Sequence, residues 1–185
     1  FKIEDDGPTA QDSDVAALTA VTVDESALPE VGDGDRSATL DASAAFADAN
    51  FGTDGQGSID FALVLEGTDV ATGLTNLDGT AIVLNQDAVT GLVTGSADGI
   101  DYFTLSLDAD TGEVVFTQLN NIAHGDTTNP DDIASLNIAA GDLTVERTVT
   151  DADGDFVTES VDIGGALFKI EDDGPTAQDS DVAAL

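Results

Sequence analysis

LTVERTVT (143–150) and FVTESVDI (156–163) stand on either side of the turn Asp151-Ala152-Asp153-Gly154-Asp155. Two β-prone runs joined through aspartate and glycine predict a β-hairpin. Outward from it the chain keeps the same character. Ile59, Phe61, Leu63 and Leu65 alternate with Asp60, Ala62, Val64 and Glu66, a period of two that turns one face inward. Phe103, Leu105 and Leu107 alternate likewise, then Asp108-Ala109-Asp110-Thr111-Gly112 leads into Val114 and Phe116, a second hairpin closed by glycine. Further strands are expected at 15–23, 80–85 and 89–94, with a last one through Ala166–Ile170 after a Gly164-Gly165 break that suits a bulge. The only candidate for a helix is DASAAFADAN (41–50), which reads equally as a loop. Many short strands with turn signals between them predict an all-β fold, a Greek-key, immunoglobulin-like β-sandwich.

Residues 1–18, FKIEDDGPTAQDSDVAAL, recur unchanged as residues 168–185, a period of 167 residues. Solenoid units run about 20–50 residues, so this period marks whole domains. The expected organisation is the tail and linker of a preceding repeat at 1–7, one β-sandwich domain at 8–170, and the linker and head of the next repeat at 171–185. A natural head-to-tail array and an engineered duplication of the ends both produce such a match.

Acids number 38 against four bases, a net charge of −34; one period carries 33 acids and three bases, Lys2, Arg36 and Arg147. That sign excludes nucleic acid as a partner, since phosphate binding needs the opposite charge, and disfavours anionic membranes. Self-repulsion of this size destabilises a compact state unless cations neutralise it. Hydrophobic residues make up 41%, too many for a disordered acidic tail. There is no cysteine, and no run approaches the roughly 20 apolar residues of a membrane span. A monomer without membrane insertion is expected.

Carboxylates concentrate in three places. Glu4-Asp5-Asp6-Gly7-Pro8 recurs as Glu171-Asp172-Asp173-Gly174-Pro175; three adjacent carboxylates suit a hard cation, calcium taking six to eight oxygens, though a solvated linker has the same composition. Asp151, Asp153 and Asp155 alternate around the first hairpin turn. This is not an EF-hand, because Phe156 and Asp162 stand where glycine and glutamate are required, and an ordinary turn favours the same residues. Asp24, Glu25, Asp33 and Asp35 lie in the loop after the first strand. If that loop sits at the N-terminal pole, it completes a coordination sphere there; otherwise it is plain surface. Asp126, Asp131 and Asp132 around Asn129-Pro130 read as a turn.

Catalysis has few materials. The sole histidine, His124, lies in a polar His-Gly-Asp loop and reads as structural. A zinc site would have no cysteine and one imidazole at most, no P-loop or dinucleotide fingerprint occurs, and no carboxylate pair stands out for glycoside hydrolysis. A non-enzymatic role is expected.

The run LTVERTVTDADGDFVTESVDI followed by FKIEDDGPTA resembles the end of an extender repeat from giant RTX adhesins of bacteria; VDESALPE (23–30) and FTQLNNIAHGDTTNPDD (116–132) are similar to its start and middle. The resemblance implies a type I-secreted protein of the bacterial cell surface that folds outside in calcium. Its repeats would hold a distal ligand-binding region away from the cell, for attachment or biofilm formation. It also implies Ca²⁺ at the junction carboxylates Glu4, Asp5, Asp6, Glu171, Asp172 and Asp173, with neighbouring identical repeats as partners. The glycine-rich nonapeptide of the RTX β-roll is absent. The alternatives are a ligand-binding module for sugar or protein in the same adhesin, and a salt-adapted acidic surface without specific metal.

Overall fold

The computed structural model describes residues 6–25 and 35–173. Among them are strands β1 (Val21–Asp24), β2 (Ser37–Asp41), β3 (Gln56–Leu65), β4 (Val70–Thr75), β5 (Ala81–Gln86), β6 (Val93–Ala97), β7 (Ile100–Leu107), β8 (Glu113–Gln118), β9 (Ile133–Asn137), β10 (Leu143–Asp151), β11 (Phe156–Asp162) and β12 (Gly165–Glu171). No α-helix occurs among the described residues. The fold is an all-β sandwich-like arrangement, as the alternation predicts.

A six-stranded antiparallel sheet has the order β2-β8-β7-β6-β5-β4. A three-stranded sheet, β11-β10-β3, holds the first hairpin. In the third sheet, β1-β12-β9, β12 is antiparallel to β9 but parallel to β1. One continuous core joins the sheets. Phe116 of β8 lies between Phe103 and Phe168, ring centroids 5.5 and 5.4 Å away; such aromatic contacts add to the area they bury. The Gly164-Gly165 break does carry a register shift, between Gly165 and Lys169, with Ala166 at φ 56°.

Three local expectations change. Of 15–23 only β1 is a strand, because the Asp14 carboxylate accepts from the Ala16 amide and closes Val15–Ala17 into a 3-10 turn. The strand expected at 89–94 begins at Val93, since Asp87 Oδ1 takes the amides of Val89 and Thr90 into a turn. Within 41–50 only Ala42–Ala45 is helical, as a single 3-10 turn.

Along β10 alternate residues Leu143, Val145, Arg147, Val149 and Asp151 are buried. Arg147 therefore points inward, where Nη2 and Nε donate to Glu159 Oε2 at 2.5 and 2.9 Å. Its Nη1 donates to the Ala47 carbonyl at 2.7 Å, and the guanidinium sits 4.8 Å from the centre of the Phe46 ring. Glu159 Oε1 in turn accepts from the Gln11 amide.

The first and last segments run side by side. Gln11 meets Glu159, Ser13 Oγ donates to the Ser160 carbonyl, Val21 pairs with Phe168 and Asp24 with Glu171. The partners advance in step, so Asp6 and Glu171 stand at opposite ends of the molecule. This parallel run decides which acidic clusters meet.

Candidate functional site

At the entry end, the hairpin turn folds around Asp151. Its Oδ1 accepts from the amides of Gly154 (3.0 Å) and Asp155 (2.8 Å), while Oδ2 is buried and has no partner; the residue is 3% exposed. One carboxylate oxygen each from Asp54, Asp151 and Asp153 lies within 4.8 Å of the others. Asp54 comes from the loop before β3, which is tied to the turn by the Ala152 amide donating to the Gly55 carbonyl at 3.1 Å. Gly57 makes that approach possible: a Cβ there would lie 2.2 Å from the Asp151 carbonyl oxygen. Opposite it, the register shifts between Thr150 and Asp151.

Burial is the largest influence on the Asp151 carboxyl and pushes its pKa up. A proton-sharing contact with the Asp153 carboxyl and the amides of Gly154, Asp155 and Asp153 outweigh it and hold it below the usual value. Asp151 is thus ionised at neutral pH. A buried unpartnered carboxylate oxygen beside two more carboxylates is a donor set suited to a hard divalent cation.

The junction segment borders this cluster. Gly7 lies against Asp155, where a Cβ would stand 3.4 Å from Oδ2, and the Asp6 carbonyl oxygen is so near Gly52 that a Cβ there would lie 2.2 Å away. Gly52, at φ 72°, adopts a conformation suited to glycine.

At the exit end, β1 and β12 finish together. The Glu25 amide donates to the Glu171 carbonyl and the Asp24 amide to the Asp35 carbonyl, each at 3.0 Å. Arg36 Nη2 donates to the Glu25 carbonyl at 2.6 Å and to Asn121 Oδ1 at 3.2 Å. The described part of the loop after β1 therefore sits at the C-terminal pole, not the N-terminal one, because β1 pairs in parallel with the last strand.

Glu25 is 2% exposed. Its Oε1 accepts from Gln118 Nε2 (2.7 Å) and the Ile122 amide (2.8 Å) and lies 3.6 Å from His124 Nε2. Burial raises its pKa, outweighing the Ile122 amide, the nearby His124 imidazole and the bond from Gln118. Ligand atoms of Glu25, His124 and Asp172 fall within 4.8 Å of one another.

Of the expected metal residues, Asp151 and Asp153 come together, as do Glu25 and Asp172. Asp155 borders the first group beside the junction, and Asp24, Asp35, Glu171 and Asp173 lie on the backbone next to the second. Glu4, Asp5 and Asp33 lie outside the described residues. Asp126 is a turn residue, accepting from the Thr128 amide and hydroxyl. Asp132 is more than that, since its Oδ2 lies 4.0 Å from His124 Nδ1. Sequence reasoning missed Asp54, for which Asp54-Gly55 gave only a turn signal; His124, read as a structural residue of a polar loop, proves to be buried.

Comparison with curated proteins and with solved structures finds no match. A family profile does match, over residues 20–164, which takes in most strands and the first hairpin. The chain belongs to the family described as a domain of unknown function, DUF5801.

Proposed function

We propose that the chain is an extender repeat of a cell-surface adhesin, whose junctions bind calcium and stiffen a head-to-tail array. The observation that carries this reading is that one acidic segment belongs to both ends. Asp172 and Asp173, at the exit pole, occupy the repeat positions of Asp5 and Asp6, and Asp6 lies at the entry pole. In an array, a single junction would therefore run from the Glu25 and Glu171 side of one unit to the Asp54, Asp151, Asp153 and Asp155 side of the next.

Carboxylates from both units then surround a linker of few residues. Unneutralised, they repel and splay the two domains; a hard cation among them reverses that force. The buried Asp151 Oδ2, which has no partner of its own, supports the entry-side cluster as the place for the ion. The residues on either side would hold it, and its charge would supply the attraction they lack. Binding only the folded state also adds stability by mass action. The resemblance to RTX adhesin extenders agrees, and makes the setting a type I-secreted bacterial surface protein acting in attachment or biofilm formation.

Small-angle scattering of a multi-repeat protein tests the reading. Calcium should increase the maximum dimension and the stiffness, and chelation should reverse both. Dimensions unchanged by chelation would reject calcium as the stiffening agent.

A further inference from the structure

The exit-end cluster contains something a calcium site does not ask for, a buried imidazole. The His124 side chain is 4% exposed, and neither of its nitrogens has a hydrogen-bond partner. Gln118 Oε1, in the same pocket, is also buried and unpartnered. A neutral imidazole offers one donor and one acceptor, and leaving both unmet in the interior is costly. Glu25 Oε1 beside it belongs to a carboxyl nine-tenths or more buried, with no cationic side chain bonded to it.

We propose that Glu25, His124 and Asp172 form a site for a borderline divalent transition metal, with zinc the best match. Imidazole suits zinc and its neighbours, whereas calcium takes oxygen ligands. Two ligands about 2.1 Å from a tetrahedral zinc ion stand about 3.4 Å apart; Glu25 Oε1 and His124 Nε2 are 3.6 Å apart. Two carboxylates and one neutral imidazole leave the site with no net charge once the ion is bound.

The surroundings are arranged for it. Asp132 Oδ2, fixed by the amides of Gly125 (3.0 Å) and Asp126 (3.1 Å), faces His124 Nδ1 at 4.0 Å. A small ring rotation lets Nδ1–H donate to it, leaving Nε2 free to ligate, the carboxylate–histidine pairing that orients metal-bound imidazoles. Gln118 Nε2 and the Ile122 amide orient Glu25 in the same way. Asp172 comes from the end of β12, with its amide bonded to the Asp132 carbonyl at 2.9 Å. The ion therefore clasps the departing chain to the body of its own unit. The site lies within one unit, so it stands independently of the extender reading.

His124 is the only histidine, so its imidazole resonances form a single, assignable NMR probe. The chain is stripped with chelator, saturated with Ca²⁺, and titrated with Zn²⁺ while these resonances and the melting midpoint are followed. Co²⁺ is added in parallel for its visible absorption. The expected result is one zinc ion per chain, shifted imidazole signals, a raised midpoint, and a cobalt spectrum that zinc abolishes. His124→Gln should weaken zinc binding at least tenfold and leave the calcium response unchanged. Imidazole signals that ignore Zn²⁺ and Co²⁺, or that calcium moves and zinc does not, overturn the proposal, as does wild-type zinc affinity in the variant. The wild-type titration decides the matter even if the variant fails to fold. Scattering of an array reports separately on the calcium reading.

Discussion

Arg147 concentrates several roles in one side chain: it bonds Glu159, holds the Ala47 carbonyl and covers the Phe46 ring. Removing it strands a buried carboxylate and releases the segment that leads from the entry pole. Arg147→Ala should cost about 3–5 kcal/mol in urea unfolding, the usual penalty for breaking a buried pair. An apolar replacement of both Arg147 and Glu159 should recover most of that loss. Asp151 separates charge from geometry. In Asp151→Asn the amide oxygen still accepts from Gly154 and Asp155, so the turn should keep its geometry. Calcium affinity, followed by calorimetric titration, should fall by about tenfold or more with one carboxylate ligand lost. Glu25 predicts a pH effect in metal-free protein. Its pKa is raised on folding above the ordinary 4.5, so its favourable contribution is full below that value and is lost as pH rises through the folded value. Glu25→Gln should remove this slope from melting midpoints measured between about pH 4 and 8, and raise metal-free stability at neutral pH. On the acid side the sign reverses. Asp87, Asp108, Asp126 and Asp151 are all lowered from 3.8; their stabilisation is present above it and disappears as pH falls through their folded values.

At the scale of elements, the hairpin β10–β11 shows how a local pattern and a distant contact combine. The alternation of buried residues along β10 and the aspartate–glycine turn were both readable, because each depends on neighbours a few residues apart. Asp54 was not, because it joins Asp151 only through the β3–β10 pairing and the bulge opposite Gln56. Gly57 is the residue that permits the approach. Gly57→Ala sets a methyl 2.2 Å from the Asp151 carbonyl oxygen, and the backbone must shift. A cost of about 1–3 kcal/mol is expected, with loss of the calcium-induced rise in melting temperature, measured by circular dichroism.

At the scale of the whole molecule, 38 acids face four bases, and both arginines are committed to holding loops and termini. That leaves two lysines against 38 acids, so most of the neutralisation falls to ions from solution. Screening and specific binding differ here in a measurable way. Calcium at millimolar concentration should raise the melting midpoint by many degrees, while sodium chloride at equal ionic strength should do much less, because salt screens exposed charges more than buried ones. Equal effects of calcium, magnesium and salt would favour a salt-adapted acidic surface. The layout also settles a position that the sequence leaves open: β1 runs beside the last segment and ends beside β12, so the described start of the loop after it lies at the exit pole.

Alternating apolar residues, turn residues and the recurrence of 1–18 at 168–185 determined, by themselves, an all-β fold and one acidic segment that stands near both ends. Each is a short-range regularity or a direct identity, and needs no knowledge of packing. The tertiary structure alone decided which acids stand together. The parallel β1–β12 pair sets Asp24 against Glu171, the β3–β10 pair brings Asp54 to Asp151, and the burial of His124 turns a polar loop residue into a ligand candidate. These are contacts across tens to more than a hundred residues, set by register and core packing, and no local spacing encodes them.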